Sequence, residues 1–281
     1  MLKISEAILT TAAALLMLCG QAAESQTIPD PGEPTYADLA DRALPAPIAA
    51  HVRIARVDRL RREEAASAPA GHRRFLIDAD IVALIRGPAG MPARVRYLID
   101  LPDDARGRPA DPRRRSEWLI FASRSPVRPD ELRLASPDSQ LAYTPEAAER
   151  VRALLREAAA ADAAPRITGI GRAFHVPGSL PGESETQFFL QTADNRPISI
   201  SVLRRPNQQP RWAVSLAEVI DDAAAAPARD TLLWYRLACS LPPRLPRQSL
   251  SEASAGDAAA IETDYRLVID ALGACTRNRG R

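Results

Sequence analysis

Between Pro47 and Leu134 the chain repeats a pattern that few folds can absorb, an alternation of apolar and polar residues over successive segments. In PIAAHVRIARVDRL, Ile48, Ala50, Val52 and Ile54 fall on one face. RRFLIDADIVALI does the same with Phe75, Ile77, Ala79, Ile81, Ala83 and Ile85. ARVRYLIDL sets Val95, Tyr97 and Ile99 against Arg94, Arg96 and Leu98, and SEWLIFAS and ELRLAS complete a run of five segments. Successive side chains of a strand point to opposite faces, so a period of two makes each segment a strand with one apolar side. The connections APAGH, RGPAGMP and PDDARGRPADPRRR carry turn chemistry. Five strands of uneven length, long ones first, bury their apolar faces by closing into a small barrel. Residues 36–143 are therefore expected to form a small antiparallel β-barrel, preceded by a short helix in TYADLADRAL with Thr35 as its N-cap.

A different period follows. YTPEAAERVRALLREAAAADAAP is a helix, with Thr144 placed to cap, Pro145 at the first helical position, Glu146 and Glu149 at the positive end of the dipole, and an apolar stripe of Val151, Leu154 and Leu155. It spans 144–164 and links the barrel to residues 165–281. There RITGIGRAFHV, ETQFFLQT, PISISVLRR and RWAVSLAEVI are strands, with Asp194-Asn195 suited to a tight turn. Two helices close the chain. DTLLWYRLACSL faces Leu233, Trp234 and Leu237 inward, and DAAAIETDYRLVIDALG uses Asp257 as cap and Gly273 as stop. Strands that run together before helices argue an α+β fold: barrel, linking helix, then an antiparallel sheet with two helices.

The first residues set the compartment. MLK is a short cationic start, AILTTAAALLMLCG is an apolar run of about a dozen residues, too short to span a bilayer, and GQAAES offers small residues to a signal peptidase. Residues 1–23 read as a signal peptide cleaved between Ala22 and Ser25, and 24–35 as a flexible leader. The mature chain is expected in the periplasm or the medium, with no stable membrane anchor. Cys19 leaves with the signal, so Cys239 and Cys275 remain as an even pair in an oxidising compartment and are expected to form a disulfide. It would close a loop of about 37 residues, worth about 3–4 kcal/mol in the chain-entropy model. Lysine and arginine total 37, with Lys3 the sole lysine, and 35 acids are scattered among them. A formal charge of +2 without a basic stripe is no nucleic-acid footprint.

Two resemblances rest on these segments. The order of a long strand, a second long strand ending ALIRGPAG, then VRYLIDL and EWLIFA is similar to bacterial exported barrels related to the tissue inhibitors of metalloproteinases, and implies a barrel of OB type. The N-terminal Cys-x-Cys with which those inhibitors chelate zinc is absent, so inhibition does not carry over. The second half, through AFHVPG, GESETQ and TLLWYRLAC, resembles uncharacterised exported proteins of Gram-negative bacteria, a likeness that implies no activity.

The stretch FHVPGSLPGESETQFFLQT gathers the chain's polar chemistry: His175, one of three histidines, with Glu183 and Glu185. One imidazole and two carboxylates are acceptable metal ligands, and a Ser179–His175–Glu183 arrangement is a conceivable triad. However, members of a triad come from separate elements, GSLPG lacks the G-x-S-x-G order, and the glutamates sit just before a strand. The plainer reading is a turn between strands whose glutamates face water, with no metal and no cofactor. GIGRAF continues as a strand and is not a dinucleotide loop. Arg113, Arg114 and Arg115 end a loop that also holds Asp103, Asp104 and Asp111, either a self-paired solvated loop or an arginine fork for phosphate or carboxylate. The candidate ligand-binding residues are thus His175, Glu185, Arg113, Arg114 and Arg115. The leading function is a non-enzymatic exported protein that binds or scaffolds an envelope component or protein. The alternatives are a hydrolase centred on His175 with Glu183 and Glu185, and a secreted inhibitor built on the barrel.

Overall fold

The computed structural model describes residues 32–61, 63–103, 112–216 and 225–279. The expected signal peptide (residues 1–23), residues 24–31 of the expected leader, Asp104, Asp111 and the end of RWAVSLAEVI lie outside the described residues. Thr35 accepts a hydrogen bond from the Asp38 N–H while the Asp38 carboxylate accepts from the Thr35 N–H, and this capping box begins helix α1 (Tyr36–Ala43). Five strands follow as the alternation requires: β1 (Ile48–Arg59), β2 (His72–Arg86), β3 (Arg94–Pro102), β4 (Glu117–Arg124) and β5 (Glu131–Leu134). They pair in the order β1-β2-β3-β5-β4, and β4 returns to β1, closing a five-stranded barrel. The expectation of an antiparallel barrel holds at every seam but one. β3 and β5 are parallel, through Arg96↔Glu131 and Tyr97↔Leu132. An odd number of strands cannot alternate direction around a closed ring, so one parallel seam is unavoidable.

The barrel interior is the even-numbered face of β1 (Ile48, Ala50, Val52, Ile54) packed with Phe75, Ile77, Ala79, Val95, Tyr97, Ile99, Ile120, Ala122 and Leu132. Ile81 and Ala83 are only half-buried, because β2 runs on past the barrel's end. Outside the barrel, arginines and acids pair across strands: Arg74 with Asp100, Arg96 with Asp78 and Arg94 with Asp80. Exposed pairs of this kind contribute little each but favour one register, since like charges directly opposite are destabilising. These barrel arginines thus have local partners.

β4 does not alternate: Leu119, Ile120, Phe121 and Ala122 are all buried. β6 (Gln140–Ala142) extends its edge, paired as Leu119↔Leu141, while its second face, Leu119 and Phe121, packs in the core that includes α2 (Pro145–Ala159), capped by Thr144. β6 was not expected from the sequence, since three residues carry no periodicity. His51, expected to alternate outward, does leave the barrel interior, but it is only 6% exposed. Its ring stacks on Tyr143 at 3.6 Å, and its Nε2 lies 3.0 Å from Glu117 Oε2. Arg53 also binds that carboxylate, and its guanidinium more than any other group holds Glu117 below the usual glutamate range.

The second sheet is antiparallel, in the order β10-β9-β8-β7: β7 (Ile167–Pro177), β8 (Ser184–Thr192), β9 (Ser199–Arg204) and β10 (Arg211–Ser215). The register of β7 on β8 shifts twice, between Ile167 and Gly169 and between Ile170 and Ala173. Gly171 fits there because a Cβ would stand 3.1 Å from the Phe189 carbonyl oxygen. α4 (Ala255–Leu272) lies on β7 and β8, where Tyr265 meets Phe188. α3 (Leu232–Ala238) packs on α1, α2 and α4. Two local expectations change. Leu232 rather than Leu233 goes inward beside Trp234 and Leu237, because the buried face of this short helix begins at its first residue. α4 is capped by Ser254 rather than Asp257: the Ser254 hydroxyl oxygen accepts from the Asp257 N–H at 3.2 Å, and the hydroxyl donates to the Asp257 carboxylate at 2.6 Å. Cys239 and Cys275 are joined, with Cα atoms 5.2 Å apart.

One apolar core runs from α1 and the outer faces of β1 and β4 through α2 to the inner face of the second sheet, α3 and α4. Residues 32–281 form one compact unit around it. The end of the chain is tied to its beginning: Thr35 donates to the Thr276 carbonyl, and the backbone N–H groups of Asn278 and Arg279 donate to the buried Asp38 carboxylate.

Candidate functional site

The residues of the expected site go to three different places. VPGSLPGESET is the turn joining β7 to β8, closed by the Gly178 N–H donating to the Glu183 carbonyl at 2.7 Å. The Glu183 carboxylate folds back over the turn and accepts from the N–H groups of Ser179 and Leu180. Gly182 takes φ 84°, which only glycine adopts freely. Glu183 is thus a turn residue. His175 stands opposite Thr186 and Glu185 opposite Val176, so His175 and Glu185 project from opposite faces of the sheet. Glu185 accepts from the Gln187 amide at 2.7 Å.

His175 belongs to a different network. Thr186, fully buried, donates its one proton to Asp264 Oδ2 at 2.5 Å, so the His175 Nδ1 that lies 2.8 Å from the same hydroxyl is the donor there. Arg204 binds the other Asp264 oxygen. Asp264 is 1% exposed, and this chain of bonds satisfies both of its oxygens while fastening α4 to the sheet. Neither glutamate reaches it. The serine at 179 contributes only its backbone to the turn bonds described. Among the described residues no group of three or more histidine, cysteine, aspartate or glutamate side chains is arranged to hold a metal ion.

Arg113, Arg114 and Arg115 form the tight turn that leads into β4. All three are exposed. Arg115 takes φ 66°, its N–H donates to the Ile54 carbonyl, and Arg114 Nε donates to the Ala55 carbonyl at 3.0 Å. Asp103, expected to pair within this loop, instead holds Arg73 at 3.0 Å. None of the three lines the cleft between α1 and α3.

A cleft of about 490 Å³ lies elsewhere, between α1, α3, the β5–β6 connection and the start of β7. α1 and the residues after it supply Ala40, Asp41, Arg42, Leu44 and Pro45; the opposite walls are Ser136, Asp138, Arg166, Tyr235 and Arg236. The volume falls in the ordinary range for small-molecule sites, about 300–1,000 Å³. Most of its polar groups already have partners. Ser136 donates to Asp138 at 2.6 Å, and Arg42 spans Asp138 and Asp38. Tyr235 donates to Asp41 at 2.6 Å, and the same carboxylate binds Arg277. Burial, helped by the Asp41 bond, pushes the Tyr235 phenol up to about 12.

Two groups differ. Arg166, exposed at the rim, and Arg236, half-buried, make no ion pair among the described residues. Arg236 Nε is buried with no hydrogen-bond partner, and the guanidinium rests 5.9 Å from the centroid of the Tyr235 ring. Burial lowers the Arg236 pKa, and the Arg166 charge adds to the effect. Arginine nonetheless stays charged at any physiological pH. Sequence reasoning missed both residues, which are 70 positions apart and share no motif. One signal was present: Arg236 is the only charged residue inside the apolar run LLWYRLA. The chain matches no protein-family model, and no curated protein is similar to it in sequence.

Proposed function

We propose that the chain is an exported, non-enzymatic binding protein of the cell envelope whose ligand enters the cleft between α1 and α3. The observation that carries this reading is the cleft itself: a concavity of small-ligand size with apolar residues at Ala40, Leu44 and Pro45 and a few convergent polar groups held in place by bonds to their neighbours. Such preformed walls spare a ligand the cost of ordering them. Export rests on the cationic start and apolar run of the N-terminus, and the retained Cys239–Cys275 pair suits an oxidising compartment. The barrel is taken to be of OB type, on the support of its strand order and its single parallel seam between β3 and β5. Its role in this reading is structural, as the wall against which α1 and α2 are set.

The test is a thermal-shift panel on the unreduced mature protein with metals, nucleotides, sugars, organic acids and cell-wall fragments. A ligand at a hundred times its dissociation constant stabilises by about 2.7 kcal/mol. A hit weakened at least tenfold by Leu44→Trp, which fills the cleft, supports the reading. A hit indifferent to Leu44→Trp but lost in His175→Ala moves the site to the end of β7 and revives the hydrolase. Fractionation of cells expressing the full chain, with the mature N-terminus read between Ala22 and Ser25, tests export.

A further inference from the structure

We infer that the cleft is an anion site, in which Arg236 and Arg166 receive the carboxylate or phosphate of a small organic acid whose apolar body lies along Leu44, Ala40 and the Tyr235 ring. This deepens the reading of the cleft as a ligand site and rests on it. The argument comes from a comparison inside the molecule. Burial depresses the pKa of three arginines, Arg42, Arg86 and Arg236. Arg42 answers its burial with the Asp38 and Asp138 carboxylates and the Asp38 carbonyl, and Arg86 with the carbonyls of Ala43 and Ala46. Arg236 has no such acceptor among the described residues, only the face of Tyr235. A charge partly withdrawn from water, with no counter-charge among the described residues, is poorly compensated, and an anion entering the cleft would answer it.

The surroundings choose the partner's charge and shape. The cleft's acids are already bound: Asp138 by Arg42 and Ser136, Asp41 by Tyr235 and Arg277. What remains among the cleft's lining residues is two positive groups, Arg166 and Arg236. The planar guanidinium matches carboxylate and phosphate oxygens two at a time, and one anion between two such groups relieves their mutual repulsion. The alanine, leucine and proline side chains and the tyrosine ring beside them suit hydrocarbon or an aromatic ring.

The experiment uses the mature, unreduced protein and calorimetric titration with benzoate, hexanoate and phenyl phosphate, each beside a neutral counterpart, benzamide, hexanamide or phenol, at constant ionic strength. An anion is expected to bind at least tenfold more tightly than its neutral counterpart. Arg236→Gln and Arg166→Gln should each weaken it at least tenfold, Arg236→Lys should restore part of the loss, and the Arg113→Gln, Arg114→Gln, Arg115→Gln triple variant should change nothing. Preference for benzoate and hexanoate over phenyl phosphate, or the reverse, separates carboxylate from phosphate ligands. Arg166 is exposed and has no internal partner, so its variant remains informative should Arg236→Gln fail to fold. If the neutral probes bind as well as the anions and survive Arg236→Gln but not Leu44→Trp, the cleft is a site for neutral ligands and the anion inference is overturned alone. If no probe gives binding sensitive to Leu44→Trp, the inference and the cleft reading fall together.

Discussion

The β7–β8 turn and the cleft between α1 and α3 use the same vocabulary of histidine or tyrosine, carboxylate and arginine, and put it to opposite ends. In the turn every named polar group is consumed internally: Glu183 by two backbone N–H groups, Glu185 by Gln187, His175 by the Thr186–Asp264–Arg204 chain. In the cleft the carboxylates are consumed and two guanidinium groups are left over. A cluster of chemical types in sequence is therefore weak evidence of a site. The stronger evidence is a charge for which the fold supplies no answer.

The two regions should come apart under perturbation. The largest effect is expected from reducing the disulfide, which joins the end of α3 to the segment after α4. The cost should be about 3–4 kcal/mol in urea unfolding. Amide exchange should quicken in α3, the cleft wall, and stay unchanged at the β7–β8 turn; faster exchange at the turn would show that the disulfide supports both regions alike. Next, Asp264→Ala should cost about 2–3 kcal/mol, since it strands the buried Thr186 hydroxyl and removes the partner of Arg204, which is exposed enough to reach water. Its damage should stay on the sheet side, leaving ligand binding in the cleft intact.

Glu183→Ala should cost only about 0.5–1 kcal/mol, the usual net value of hydrogen bonds near water, with no change in cleft binding. A fall in binding would make the turn part of the site after all. The last effect appears only at alkaline pH. Tyr235 holds its proton to about 12 in the folded chain, against an ordinary tyrosine value of 10.0. The stability it contributes is therefore full below pH 10 and is lost as pH rises toward 12. Melting temperature should fall more steeply across that window in the native chain than in Tyr235→Phe, and equal slopes would show that burial and the Asp41 bond do not raise the phenol.

Much of the barrel was legible because burial on one side imposes a period of two, and Ile48, Ala50, Val52 and Ile54 display it without interruption. The helices were legible through Thr35, Thr144 and Gly273, whose side chains or lack of one act within a turn of the backbone. Where two surfaces compete, local patterns lose their meaning. β4 carries no alternation because both its faces are covered, and His51 faces away from the barrel yet is buried under Tyr143.

The sequence by itself determined what acts over a few residues: strand and helix periods, caps and turns; the pairing of Cys239 with Cys275 was legible once Cys19 was placed in the expected signal peptide. Only the tertiary structure decided which polar groups are satisfied, because hydrogen-bond partners such as Thr186 and Asp264, or Tyr235 and Asp41, are brought together from distant parts of the chain. Whether a charge is answered is a property of three-dimensional neighbourhood, and that is why Arg236, which shares no motif with Arg166, is the residue on which the proposed ligand site turns.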